Sequence, residues 1–159
     1  MTGIRTAFWT AVVSAPLMLS TAATAGDNPF AGLEGAWGGT GSVRLENGTT
    51  ERLKCKGYYN AKANGLGMAI NCGNAGFRIN MRANLTNSGN QISGTWEERE
   101  FNQAGEINGK STGNGFTLKF SGAITGSMSV TMTGATQTVS ISTGGPGFTG
   151  VNLSFAKNG

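Results

Sequence analysis

Apolar side chains in this chain recur at every second residue, and clusters of Asn and Gly interrupt the alternation about every ten to twelve residues. Leu53, Cys55 and Tyr59 share one parity, while Arg52, Lys54 and Lys56 share the other. The same pattern returns in Met68, Ile70 and Cys72, and in Phe77, Ile79, Met81 and Leu85. It continues through Phe116, Leu118 and Phe120, then Met128, Val130 and Met132, and ends in Val139 and Ile141 and in Val151, Leu153 and Phe155. A period of two with one apolar face is the mark of half-buried strands, because successive side chains point to opposite sides of a sheet. No stretch after the leader repeats apolar residues at helical spacing over a helix length.

The interruptions are turns with a physical cause, since Asn and Gly accept the positive φ of tight hairpins. They fall at Asn47-Gly48, Asn64-Gly65, Gly73 to Gly76, Asn87 to Asn90 and Asn102 to Gly105, then at Gly113 to Gly115, Ser121-Gly122, Thr133-Gly134 and Gly144 to Gly147. If each is a hairpin, these nine turns separate ten strands. Gly39, Gly41, Gly57, Gly94, Gly105, Gly109 and Gly126 lie within strands, mostly on the inward parity. Inward glycines let a sheet coil until it closes, which also removes exposed edges. The expected fold is therefore all-β: an antiparallel up-and-down meander barrel of about eight to ten strands across residues 35–156, with Trp37 and Trp96 buried.

Residues 1–25 read as a cleaved secretory signal: Arg5, an apolar run from Ala7 to Leu19, and the small triplet Ala23-Thr24-Ala25. A membrane anchor fails on length and on Pro16. The expected organisation is leader 1–25, N-terminal tail 26–34, and a single barrel domain 35–159, in a periplasmic or secreted product with no membrane span once the leader is gone. The two cysteines, Cys55 and Cys72, are expected to pair in such a compartment. A hairpin turning at Asn64-Gly65 sets them opposite each other on the apolar face. The chain has no His, so neither a metal site nor a Ser–His nucleophile is expected.

Gly35-Ala36-Trp37 at the first strand, echoed by Gly94-Thr95-Trp96, resembles the Gly-x-Trp signature of the calycin superfamily: lipocalins, fatty-acid-binding proteins and avidins. The resemblance implies that Trp37 closes one end of the barrel and that the interior holds a small ligand. Departures from the subfamilies are visible. Only Trp37 and Trp96 follow the leader, fewer than line an avidin pocket, so biotin is not carried over. Asn47-Gly48 makes a tight turn where fatty-acid-binding proteins insert a helical lid. Small bacterial metalloprotease inhibitors are similar too, with an exported barrel, the Trp motif and one disulfide, and they act through an N-terminal tail. Gly26 to Glu34 is the matching segment, though a short one.

The expected function is a non-enzymatic exported binding protein with no cofactor, holding a small apolar or amphipathic molecule inside the barrel. Candidate lining residues are Tyr59, Met68, Met81, Trp96, Phe116, Met128 and Met132, methionine being adaptable in shape. The alternative is a protein–protein module, such as an inhibitor of an exported hydrolase, acting through loops, tail or a basic face. Arg52, Lys54, Lys56, Arg78 and Arg82 share the outward parity and suit an anionic envelope component or an acidic partner. Nucleic acid is not expected, because the aromatics fall on the apolar parity rather than among these cations. Glu97, Glu98, Glu100 and Glu106 flank a hairpin tip and read as a solvated rim. Strands nearer seven than ten residues, and the lack of aromatic girdles, speak against an outer-membrane barrel.

Overall fold

The computed structural model describes residues 28–144 and 146–159. The expected leader, its cleavage point after Ala25 and Gly26 lie outside the described residues. Nine hairpins join ten antiparallel strands. These are β1 (Gly35–Leu45), β2 (Thr50–Lys62), β3 (Gly65–Gly73), β4 (Arg78–Ser88) and β5 (Gln91–Glu98), followed by β6 (Gln103–Thr112), β7 (Gly115–Gly122), β8 (Gly126–Thr133), β9 (Thr136–Thr143) and β10 (Phe148–Lys157). The reversals after β5 and β7 fall at residues 99–102 and 123–125, a few residues away from the expected Asn102 to Gly105 and Ser121-Gly122. Gln103 to Gly105 and Ser121-Gly122 are paired strand instead. Each strand pairs with its sequence neighbours, and β1 pairs with β10 to close the barrel. The strands run to 8–13 residues, longer than the alternation suggested. Ladder pairing carries on through polar hairpin residues where the apolar pattern has faded, as in Asn60 to Lys62 of β2.

The apolar parity faces inward. Leu53, Leu118 and Leu153 are buried, as are Trp37 and Trp96. Among the described residues the exposed large hydrophobics are Tyr58 and Phe101, so the outer face carries no apolar band. Cys55 lies directly opposite Cys72 and the two are bonded, tying β2 to β3 from inside. Closure depends on inward glycines. A Cβ on Gly94 would collide with the carbonyl of Asn84, and one on Gly105 would fall onto the carbonyl of Ser121 and 2.7 Å from the Trp96 Nε1. At these points neighbouring strands approach too closely for any side chain, which is how the sheet bends.

In a meander, alternate hairpins gather at opposite ends. The turns after β1, β3, β5, β7 and β9 form one end; the other turns and both termini of the barrel form the second. That second end is closed by a short 3-10 helix, Ala31–Leu33. Phe30 and Leu33 are each 0% exposed. Phe30 meets Phe116 edge-on at 5.7 Å, and Trp37 Nε1 donates to the Leu33 carbonyl at 2.8 Å. Asn28 Nδ2 donates to the Lys62 carbonyl at 2.9 Å, and the Ala61 N–H donates to Glu34 Oε2. Phe30 and Leu33 therefore belong to the core although they precede the first strand, while Ala31, Gly32 and Glu34 between and after them are exposed. The sequence reading missed this because so short a segment shows no strand period; its one clue is Phe30 and Leu33 at helical spacing.

Candidate functional site

Opposite the plugged end, the barrel interior opens into a cavity of about 240 Å³. Ile70, Ile79, Met81, Trp96, Ile141 and Leu153 line it, brought from β3, β4, β5, β9 and β10 by the inward parity. Phe77, Phe101, Ile124, Pro146 and Phe148 rim its mouth from the hairpins of that end. Phe101 is 55% exposed and stacks at a tilt on Phe77, 6.1 Å away. The cavity explains a graded burial along the inward face. Phe77, Ile79, Met81, Phe120, Ile141 and Phe148 are half-buried, and all lie toward the open end.

Two polar side chains line this apolar space, Glu98 and Gln103. They are direct cross-strand partners on β5 and β6. Glu98 is 9% exposed, which corrects its placement on a solvated rim. Its Oε1 accepts the Asn80 N–H at 2.6 Å and its Oε2 accepts the Phe101 N–H at 2.7 Å. The carboxylate thus satisfies two backbone donors that the end of the β4–β5 ladder leaves without strand partners. Glu98 shares its parity with Trp96, a signal that was available in the sequence. Its neighbours behave as expected of a rim: Glu97 pairs with Arg99 at 2.7 Å, and Glu100 and Glu106 are exposed.

Of the residues expected to line a ligand site, Met81 and Trp96 stand at the cavity. Tyr59, Met68, Phe116 and Met128 are buried in the packed interior, and Met132 is half-buried near the plug, where its methyl lies beside Gly32. Strand parity had grouped them on one face, but their heights along the barrel axis separate them. Tyr59 packs edge-on to Trp37 at 6.2 Å and donates its hydroxyl to Gln137 Oε1 at 3.0 Å. Burial pushes the Tyr59 hydroxyl up from 10.0 to about 12, against a smaller lowering by the Gln137 bond. Trp37 stands at the plugged end and Trp96 near the open one, so the two Gly-x-Trp segments occupy non-equivalent positions.

Arg52, Lys54, Lys56, Arg78 and Arg82 are all exposed on the outer face of β2 and β4. Between them, β3 presents the small residues Gly67, Ala69, Asn71 and Gly73. Lys54, Gly73 and Arg78 form one row across the three strands, and Tyr58, Ala69 and Arg82 form another. The cations therefore flank a shallow trough. Arg82 also faces Glu97 on β5.

The fold has counterparts among solved structures. Rv2717c from M. tuberculosis superposes with a TM-score of 0.68 at 11% identity, over 82% of this chain and 95% of that one. The S-type phycobiliprotein lyase CPES from Guillardia theta gives a TM-score of 0.60 at 12% identity, over 82% of this chain and 90% of that one. The barrel is calycin-like. No family model matches the sequence, and no curated protein matches it. The second likeness corrects the expectation that this chain is not an enzyme. The same barrel is the fold of a lyase, so the want of a readable catalytic constellation does not exclude catalysis.

Proposed function

We propose that this calycin-like barrel holds a small apolar or amphipathic molecule in the cavity at its open end. The observation that carries the reading is the asymmetry of the interior. One end is filled by Phe30, Leu33 and Trp37, while the other keeps about 240 Å³ behind an aromatic mouth. Small-molecule sites are concave, mostly apolar and furnished with a few polar groups, and this cavity has that make-up at a size somewhat below the usual range of about 300–1,000 Å³. The lining set is Met81 and Trp96 with Ile70, Ile79, Ile141 and Leu153. The signal-like pattern of residues 1–25 and the Cys55–Cys72 bond support export into an oxidising compartment.

Native mass spectrometry of freshly purified protein tests this directly. Met81→Trp should expel a bound small molecule by filling the cavity, while Phe116→Leu, far from it, should retain the ligand. An empty wild-type protein that also takes up no apolar probe would end the proposal.

A second reading rests on the basic trough. Among the described residues the one ion pair is Arg99 with Glu97, so Arg52, Lys54, Lys56 and Arg78 stand without a carboxylate at ion-pair distance. Such a face suits an anionic envelope component or an acidic partner protein, including an exported hydrolase. The buried state of Phe30 and Leu33 takes the N-terminal segment away from that role. Reversing Arg52 and Lys54 to Glu should abolish retention on vesicles rich in phosphatidylglycerol at low salt. Unchanged retention would rule this reading out.

A further inference from the structure

The cavity's polar chemistry names a class of ligand, on the footing that the cavity holds one. Among the described residues its lining contains a single ionisable side chain, Glu98, and no lysine or arginine. Among the described residues the lysines and arginines are all exposed, Arg78 included, although it begins the strand that carries Ile79 and Met81 into the wall. We infer that the cavity selects small amphiphiles whose polar end donates a hydrogen bond, such as alcohols and primary ammonium ions, and rejects carboxylates.

Three features support this. First, a carboxylate offers about four acceptor positions, and backbone donors occupy one on each Glu98 oxygen. The remaining positions accept only from a donor. Second, a ligand carboxylate would bring a second negative charge beside a 9% exposed Glu98, with no cation to compensate either. Like charges in so poorly hydrated a place repel strongly, and burial of an unpaired charge is itself unfavourable. Third, Gln103 is the cross-strand partner of Glu98 and supplies both an acceptor and donors, so a neutral hydroxyl can be bonded from two sides. The cavity volume of about 240 Å³ is about eight times the ~30 Å³ of one water in the liquid. That leaves room for a chain of roughly eight to ten heavy atoms, with a longer tail emerging past Phe101.

Titration of the full protein with octan-1-ol, octylamine and sodium octanoate tests the inference. All are used below micellar concentration at neutral pH, and binding is read from the Met81 methyl resonance and Trp96 fluorescence. Octan-1-ol and octylammonium should saturate, with octanoate about tenfold weaker or worse. Glu98→Gln should erase most of that gap. Because it alters a hairpin anchor, Gln103→Lys serves as the second variant. It leaves Glu98 and its backbone bonds intact, places a cation beside it, and should strengthen octanoate by about tenfold while weakening octylammonium. Octanoate binding as tightly as octan-1-ol in the wild type would overturn the inference and leave the ligand-holding reading standing. No response to any of the three would remove that reading and this one together.

Discussion

The indole of Trp96 lies over Gly105, its direct partner on the neighbouring strand, and donates Nε1–H to the Ser121 carbonyl at 3.1 Å. Glycine at 105 thus does two things: it lets β6 and β7 close up, and it leaves the space that the ring fills. Gly105→Ala should destabilise the protein by about 2 kcal/mol or more, as overpacking against backbone cannot be relieved by a rotamer change. Gly76→Ala meets open space and should shift stability by less than about 0.5 kcal/mol. Urea unfolding of both variants checks the contrast, and equal stabilities would refute this account of closure.

The Tyr59–Gln137 pair sets a pH dependence. The folded protein holds the Tyr59 proton more tightly than the unfolded chain does, since burial raises the hydroxyl from 10.0 to about 12. Its stabilising contribution is complete below pH 10 and disappears as pH rises from about 10 to about 12. Tyr59→Phe should flatten that alkaline decline. It should also cost about 1–3 kcal/mol at neutral pH by leaving Gln137 buried without its donor. Thermal melts across pH 8–12, compared with wild type, measure both effects.

Phe30 belongs to the core although it precedes the first strand. Truncation to Ala should cost about 3–5 kcal/mol, as for an aromatic deep in a strand, and should open the plugged end to an apolar dye. If Phe30→Ala melts like wild type, the segment is not the closure described above.

The Cys55–Cys72 bond joins adjacent strands across a sequence separation of 17 residues. Reduction should lower stability by about 3 kcal/mol while the ladder and the rest of the core keep the barrel folded. Far-UV circular dichroism with and without reductant, below the melting range, should be nearly superimposable. Collapse of the β signal on reduction would show that the core alone cannot hold the fold.

Alternation and turn chemistry, both local, were enough to read an antiparallel meander of about eight to ten strands, the inward parity and the disulfide from the chain itself. A period of two states which side of the sheet a residue faces, and Asn–Gly turns state where the strand reverses. Neither carries the axial coordinate inside a closed barrel. Whether Met81 or Met128 lines a cavity depends on strand stagger and on which end is filled. Those are set by contacts such as Phe30 with Phe116 and Tyr59 with Gln137, between segments whose positions become comparable only after closure. Glu98 marks the same boundary. Its parity with Trp96 was legible, but its burial required the Asn80 and Phe101 N–H groups to converge on it, and only the folded hairpins bring those donors together.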